Sequence, residues 1–260
     1  MRIYLINLDR RKDRLDAMMR QAAGLGLALE RIAALDAGTA DETAVNRWFA
    51  SGGPLGEIPA GDKACLLSHR AAWERFIASG DAHAVFLEDD VRLSRAAGGL
   101  LASGHWVPAG AEVVKLEHYG PPGQRVLLTD MRAVEGGFEL GRMLSRHTGG
   151  AAYILSRQAA QLLLGEQRFD LPVDHLLFNP NNSTVFARLR PWQLLPAIAR
   201  QEEFVGEKSD IEQTRKGLRR FGLTYIRREL VRFGYDLKLV PRQIAALRKG
   251  AKFVSVRTAP

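Results

Sequence analysis

The sequence contains very little cysteine: Cys65 is the only one among 260 residues. One cysteine cannot form an internal disulfide, so we expect a reducing compartment and a buried, apolar role for this side chain. The sequence also lacks any run of 18 apolar residues, and its first residues become charged after six apolar or neutral positions. Transmembrane helices and signal peptides need longer apolar segments. We therefore expect a cytoplasmic protein, at most peripheral on the inner face of a membrane.

The positive charge of the chain is concentrated at one end. The net charge is +8, and residues 206–260 hold 14 Lys/Arg against 5 Asp/Glu, whereas residues 1–205 are nearly neutral. A neutral body argues against a protein that binds nucleic acid over its whole surface, and we expect no nucleic-acid partner. The composition, 46% hydrophobic and 25% charged, is that of a globular protein. We predict a main domain over residues 1–211 and a basic, mostly helical segment over residues 212–260.

The hydrophobic pattern of the main domain predicts an α/β fold. Apolar runs at 3–8 and 31–35 predict strands, and the segment between them, 10–27, has helical spacing. A β-α-β start is typical of a parallel sheet. Further predicted strands are 84–87, 113–116 and 151–155, and further predicted helices are 64–79 and 157–164. We expect a mixed central sheet with flanking helices. A Gly/Pro-rich loop should precede the second long helix.

Three adjacent carboxylates, Glu88, Asp89 and Asp90, follow the apolar run 84–87 directly. Such groups repel one another and resist burial unless water or a cation neutralises them. Oxygen ligands favour Mg²⁺ or Mn²⁺, and alternation along the chain places Glu88 and Asp90 on the same side. Ligands of open parallel sheets bind beyond the carboxyl ends of strands. The cluster is therefore either a metal site that holds a diphosphate or a solvated acidic loop.

A metal site of this kind suits sugar transfer from a nucleotide sugar. The leaving group is a nucleoside diphosphate, on which negative charge grows as the sugar bond breaks. A divalent cation stabilises that charge, and the attacking hydroxyl of the acceptor needs a separate carboxylate as its base.

Several ordered segments of the chain carry a family resemblance. They are YLINLDRRKDR at 4–14, ALDA at 34–37, GDKACLLSH at 61–69, the DXD-like FLEDD at 86–90, GGAAYILS at 149–156, PVD at 172–174, and the stretch 201–211. Together they resemble the family 25 glycosyltransferases, enzymes of lipooligosaccharide biosynthesis that are related to collagen galactosyltransferases. Asp62, Lys63 and Ala64 depart from the usual Glu-Ile-Gly of that family.

The resemblance implies a fold and a chemistry. The implied fold is of the GT-A (Rossmann-like) type, with Mn²⁺ or Mg²⁺ as the cofactor. The implied donor is a UDP-sugar, usually UDP-galactose, and the implied acceptor is a glycan or lipid-linked glycan of the lipopolysaccharide type. Transfer would invert the anomeric carbon. Asp90 is then the expected metal ligand and Glu88 a metal or ribose partner, while Asp89 either contributes to the site or turns away toward backbone amides.

Residues at or beyond the carboxyl ends of the first two predicted strands are candidates for contacts with the nucleotide. They are Asn7 near the end of the first strand, Asp9, Arg10 and Arg14 after it, and Asp36 after the second strand. Arginine pairs with diphosphate in a bidentate manner. The alternative is an exposed helix start with Asp9 as its N-cap, and a capping role for Asp36 in the next segment.

Four further residues are candidates for the site. Ser68 and His69 are expected to contact the cofactor or donor, although a histidine on a helix is often purely structural. They are sequence neighbours that face different directions, so they do not form a nucleophile–base pair. Asp174 and Glu117 are candidates for the catalytic base. Asp174 has an alternative role as the N-cap of a helix at 175–178.

The basic C-terminal segment has helical spacing from 217 to 253, with Pro241 predicted to break or kink the helix. Basic amphipathic helices bind anionic membrane surfaces, with each basic side chain near the surface contributing about 1 kcal/mol. The alternative is that the apolar stripe packs on the main domain and the charges are solvated.

The sequence thus favours a metal-dependent, inverting glycosyltransferase that moves a sugar from a UDP-sugar to a hydroxyl of a lipopolysaccharide-type acceptor. One alternative is a metal-dependent phosphohydrolase that uses the same acidic cluster, although its usual histidine ligands are scarce among six scattered histidines. Another is a non-catalytic basic binding protein that acts through the C-terminal segment, which the neutral main domain disfavours.

Overall fold

A mixed sheet of nine strands forms the centre of the protein in the computed structural model, which describes residues 1–120, 124–201 and 223–260. The strands are β1 (Arg2–Asn7), β2 (Glu30–Ala33), β3 (His83–Glu88), β4 (Val91–Leu93), β5 (Val113–Lys115), β6 (Glu117–His118), β7 (Arg125–Val134), β8 (Phe138–Met143), β9 (Ala152–Ser156), β10 (Trp192–Leu195), β11 (Ala199–Gln201) and β12 (Lys252–Ser255). The helices are α1 (Lys12–Gly24), α2 (Glu42–Asn46), α3 (Ala60–Ser79), α4 (Ala97–Ser103), α5 (Arg157–Leu164), α6 (Val173–Phe178), α7 (Phe186–Leu189) and α8 (Leu223–Arg248).

The strand order shows which part of the sheet is parallel. The central sheet runs β12-β7-β8-β10-β5-β9-β3-β1-β2, and a small sheet of three strands runs β4-β11-β6. β1 pairs in parallel with both β2 and β3, whereas β9 is antiparallel to β3 and β5. The predicted α/β fold, with its β-α-β start, mixed central sheet and flanking helices, is confirmed.

Alternate residues of the central strands pack on opposite faces of the sheet. On one face the rings of Tyr4, Phe86 and Tyr153 stack, with centroids 5.6 Å and 5.3 Å apart. Leu5 and Leu87 belong to a separate apolar cluster on the other face. Burial on both faces explains why these strands are continuous apolar runs in the sequence rather than alternating ones. The site at their ends is therefore held by a rigid frame.

Two predicted helices begin elsewhere than expected. α1 begins at Lys12 with Arg11 at its N-cap position, so the alternative in which Asp9 caps this helix is wrong. α3 begins at Ala60, after Pro59, four residues before the prediction. Pro59 sits at the N-cap position, just before the helix, where its missing N–H costs no intrahelical hydrogen bond.

The C-terminal segment is mostly helical, as predicted, but it differs in detail. α8 continues through Pro241, so this residue does not break the helix. The helix ends at Arg248 rather than at residue 253, and Gly250 follows in the left-handed region with a φ of 94°. β12 then pairs antiparallel with β7 at the edge of the central sheet. The predicted boundary between 211 and 212 lies outside the described residues.

Candidate active site

Asp89 is held by side chains from the first strand, β1, and the first helix, α1. Glu88 is the last residue of β3, and Asp89 lies in the turn that leads to β4. Asn7, at the end of β1, donates a hydrogen bond of 2.7 Å from Nδ2 to Asp89 Oδ2. Arg14 of α1 approaches Asp89 Oδ1 to 3.1 Å and Asp90 Oδ2 to 3.8 Å. The structure therefore brings together four of the residues predicted for metal or nucleotide binding.

Glu88 is oriented by a chain of buried side chains. Its Oε1 lies 3.2 Å from His69 Nε2 and 3.8 Å from Cys65 Sγ. His69 Nδ1 lies 2.7 Å from Tyr153 Oη, and Trp73 Nε1 donates a hydrogen bond of 2.9 Å to the same oxygen. Burial lowers the pKa of His69 to about 3, so its ring is neutral. His69 can position Glu88 but cannot neutralise its charge.

The carboxylates around the end of β3 act on one another electrostatically. Burial, together with the negative charges of Glu117, Asp89 and Asp174, raises the pKa of Glu88 to about 8. Burial likewise raises the pKa of Asp90 to about 7, with Glu88 as the next cause. The predicted metal ligands Glu88 and Asp90, at the end of β3, thus lie in the same region as the predicted bases. Glu117 comes from β6 and Asp174 from α6. The mutual repulsion of these carboxylates means that this region favours a bound cation.

Glu117 belongs to a fully buried ion pair. Its Oε1 accepts hydrogen bonds of 2.8 Å from Lys115 Nζ and 2.9 Å from the Ala151 backbone N–H. Within the described part of the chain, Glu117 Oε2 has no hydrogen-bond partner. Lys115 Nζ also donates to the Gly149 carbonyl and lies 4.5 Å from the ring centroid of Phe178. Lys115 was not predicted for the site, and its only signal in the sequence is a lysine within the apolar run 113–116.

Asp174 lies in the first turn of α6, where Pro172 occupies the N-cap position, so the alternative in which Asp174 caps this helix is wrong. Its Oδ2 accepts a hydrogen bond of 3.4 Å from the Gly149 N–H. Gly149 has a φ of 95°, and a Cβ there would lie 2.6 Å from the side chain of Tyr119. Only glycine fits this position without strain, which keeps the backbone close to Asp174.

The candidates Asp9 and Arg10, after β1, and Asp36, after β2, form contacts at the rim of the site. Arg10 Nε donates to Asp36 Oδ2 at 2.6 Å, and Asp36 also accepts from the Gly38 N–H. Asp9 pairs with Arg31. Asp9 and Arg10 are exposed and Asp36 is half-buried, and their contact with a nucleotide stays a prediction.

Ser68 is buried, and its hydroxyl joins α3 to the segment after β2. It accepts a hydrogen bond of 2.9 Å from the Leu35 N–H and donates one of 2.7 Å to the Ala64 carbonyl. This arrangement holds the backbone next to Asp36 in place. A direct contact between Ser68 and a donor stays a prediction.

Curated relatives cover different shares of the chain. It is 30% identical over 240 residues to a "Glycosyltransferase 25 family member" of Anopheles gambiae, covering 84% of this chain and 39% of that protein. It is 33% identical over 155 residues to the "Lacto-N-neotetraose biosynthesis glycosyltransferase LgtB" of Neisseria gonorrhoeae, covering 54% and 53%. It is 28% identical over 161 residues to the "Lipooligosaccharide biosynthesis protein lex-1" of Haemophilus influenzae, covering 56% and 50%. The chain thus spans about two fifths to one half of the length of these relatives.

One solved structure shares a remote likeness with the chain. It is a glycosyltransferase involved in the glycosylation of the major capsid of PBCV-1, with 11% identity and a TM-score of 0.38. The match covers 83% of this chain and 98% of that one. A likeness at this level carries no argument about the site.

The family itself is shown by a match over most of the chain. Residues 1–177 match the family described as "Glycosyltransferase family 25 (LPS biosynthesis protein)". Every candidate residue discussed above lies within this match, from Asn7 to Asp174. The chain therefore belongs to glycosyltransferase family 25.

Proposed function

We propose that this chain transfers a sugar from a UDP-sugar to a hydroxyl of a lipopolysaccharide-type glycan, with inversion at the anomeric carbon. Galactose is the sugar that we propose first. The observation that carries this proposal is the pair of carboxylates, Glu88 and Asp90, at the carboxyl end of β3. Burial raises the pKa of both, to about 8 and about 7. Raised pKa values mean that the ionised forms of these carboxyl groups are disfavoured, and a bound dication stabilises those ionised forms.

The side chains present fit Mn²⁺ or Mg²⁺. Glu88 and Asp90 offer carboxylate oxygens, which are the ligands that hard divalent cations prefer. When bound, the cation stabilises the negative charge that grows on the departing diphosphate. Asn7 and Arg14 hold the intervening Asp89, and so fix the turn from which Asp90 projects.

The candidates on the other side of β1 suit the nucleoside part of the donor. Asp36 and Arg10 lie at the carboxyl ends of the adjacent parallel strands β1 and β2, where ligands of open sheets bind. The hydrogen bond from Leu35 to the buried Ser68 fixes the start of this segment. In this arrangement Asp36 contacts uridine or ribose, and Ser68 acts by positioning it.

Asp174 suits the role of general base better than Glu117 does. A base must reach the hydroxyl whose proton it removes. Asp174 is half-buried, whereas Glu117 is fully buried and bonded to Lys115. We assign proton removal from the acceptor to Asp174. The Lys115–Glu117 pair is hydrogen-bonded to the backbone of Gly149 and Ala151 and so positions the Gly149 N–H that donates to Asp174.

The described end of α8 presents an apolar stripe to solvent. Leu237, Val240, Ile244 and Leu247 follow helical spacing, and all four are exposed, Leu237 to 51%. The stripe predicted from the sequence is Ile226, Leu230, Phe233 and Leu237. The first three lie outside the residues whose side chains are described, so the alternative in which the stripe packs on the main domain is contradicted only at Leu237. The same stretch of the chain carries exposed basic side chains, namely Lys238, Arg242, Arg248, Lys249 and Lys252. Among the described residues, no helix is long and apolar enough to cross a membrane.

We propose that this face of α8 binds an anionic membrane surface. Apolar side chains insert at the boundary of the lipid head groups while basic ones attract anionic lipids. A lipid-linked acceptor would then meet the enzyme at the cytoplasmic face of the inner membrane.

The metal role of Asp90 is tested by its amide. Asp90→Asn keeps the shape of the side chain and removes one anionic ligand. We expect Mn²⁺-dependent UDP release from a panel of UDP-sugars to fall by about 10²-fold or more. Asp16→Asn, on the exposed face of α1, is the matched control and should keep full activity. Unchanged activity of Asp90→Asn would remove the central role of this residue.

The base is tested by separating chemistry from binding. Asp174→Asn should lower kcat for transfer by about 10²–10⁴-fold, because general base catalysis contributes on that order. The Kd of the protein for UDP, measured by calorimetry with Mn²⁺, should stay within about twofold. Loss of UDP affinity with an unchanged kcat would place Asp174 in the donor site instead.

The raised pKa of Glu88 predicts how stability depends on pH. Because folding raises this pKa from 4.5 to about 8, the protonated form favours the folded state, and that stability is lost as the pH rises through 8. Without metal, the free energy of unfolding should fall from pH 5.5 to 8.5 by roughly 2–3 kcal/mol more than in Glu88→Gln. Urea unfolding in chelator measures this difference, with exposed Glu74→Gln as the control. Parallel pH profiles for the wild type and Glu88→Gln would contradict the account.

The membrane proposal is tested with point variants, because truncation at residue 211 would remove β12 from the central sheet. Replacing Ile244 and Leu247 by glutamine should weaken co-sedimentation with anionic vesicles by at least about tenfold, since each buried side chain contributes roughly 1.5–3 kcal/mol. Met131→Gln, an exposed apolar residue of β7, is the control. Equal binding of the wild type and the double variant to anionic vesicles would contradict the proposal. Equal binding of the wild type to anionic and to neutral vesicles would also contradict it.

A further inference from the structure

Three side chains with different ligand atoms meet beside the carboxylate pair. Cys65 and His69 are four residues apart on α3 and so share one face of the helix. Glu88 at the end of β3 faces them. One ligand atom from each residue lies within 4.8 Å of the others, and no second group of this kind occurs among the described residues.

The two distances to Glu88 Oε1 are close to those of a tetrahedral zinc site, and the third pair of atoms, from Cys65 and His69, lies within 4.8 Å. Zinc lies about 2.3 Å from sulfur and about 2.0–2.1 Å from nitrogen or oxygen, so tetrahedral angles place N and O about 3.3 Å apart and S and O about 3.5 Å apart. The observed distances to Glu88 Oε1 are 3.2 Å from His69 Nε2 and 3.8 Å from Cys65 Sγ. The three donors can therefore surround one ion with only small movements of their side chains.

The far side of the histidine ring has the partner that a metal ligand needs. A ligating histidine donates its other ring N–H to an acceptor, which fixes the ring. His69 Nδ1 lies 2.7 Å from Tyr153 Oη, and that phenol oxygen has two lone pairs, so it can accept from His69 and from Trp73 together. With the ring proton on Nδ1, His69 Nε2 is available to the metal.

We propose that Cys65, His69 and Glu88 bind a zinc ion. This set of one sulfur, one nitrogen and one oxygen suits zinc, and the affinity order of divalent metals places zinc well above manganese at such a site. The thiol proton passes to solvent as the Zn–S bond forms, and a water molecule completes the coordination. Burial and the charges of Glu88 and Asp62 raise the pKa of the Cys65 thiol, but the same charges attract a dication.

A consequence for activity rests on the proposed function. Glu88 belongs to both sets of ligands, the one with Asp90 and the one with Cys65. Zinc and Mn²⁺ then compete for Glu88, and zinc inhibits transfer. Cys65 belongs only to the zinc set, so Cys65→Ser should abolish zinc inhibition, measured as a fraction of that variant's own zinc-free, Mn²⁺-dependent rate.

Cobalt(II) tests the site without any enzyme assay. Cys65 is the only cysteine of the protein, so a thiolate-to-cobalt charge-transfer band has one possible source. We expect this band at about one equivalent of Co²⁺, its loss on addition of Zn²⁺, and its absence in Cys65→Ser. Chelator competition should show that Cys65→Ser binds zinc at least roughly 10–100-fold more weakly than the wild type. Loss of even an outer-sphere partner of a metal ligand weakens binding by that factor. His105→Gln, at an exposed position, should keep the band.

The outcomes separate this inference from the proposed function. Absence of the band in folded wild-type protein, or equal zinc affinity in Cys65→Ser, overturns the zinc site. A band in a protein that transfers no sugar from any UDP-sugar supports the zinc site and contradicts the proposed function. Zinc inhibition of the wild type that is lost in Cys65→Ser supports both.

Discussion

Acidic groups held out of water at the carboxyl end of β3 are the constraint on which the rest of the site depends. Glu88 and Asp90 repel each other and the neighbouring acids, and burial raises the pKa of both. The sheet supplies the energy for this arrangement, since β1, β3 and β9 pack apolar side chains on both faces. A stable frame can carry a destabilised site, which a cation then neutralises.

The surrounding polar side chains hold this charge in place without cancelling it. His69 is neutral, because burial lowers its pKa to about 3. The one fully buried lysine among the described residues, Lys115, is paired with Glu117. Arg14 pairs more closely with Asp89 than with Asp90. Each of these contacts fixes a geometry, and the net negative charge that remains suits a divalent cation and the diphosphate that it carries.

The sequence predicted the strands of the site well, because buried strands are continuous apolar runs, and it predicted the acidic cluster that follows one of them. It could not show that Glu117 and Asp174, far apart in the chain, would converge on Glu88, since that depends on the crossing of β9 between β3 and β5. Lys115 was missed because a lysine in an apolar run usually marks exposure. β12 was missed because its short pattern follows a long basic helix.

A crystal grown with UDP and Mn²⁺, measured at the manganese absorption edge, tests the central claim most directly. The account predicts an anomalous peak within bonding distance of the carboxylates of Glu88 or Asp90 and of the UDP diphosphate. A manganese peak and a nucleotide located elsewhere, with both side chains turned toward bulk water, would contradict it.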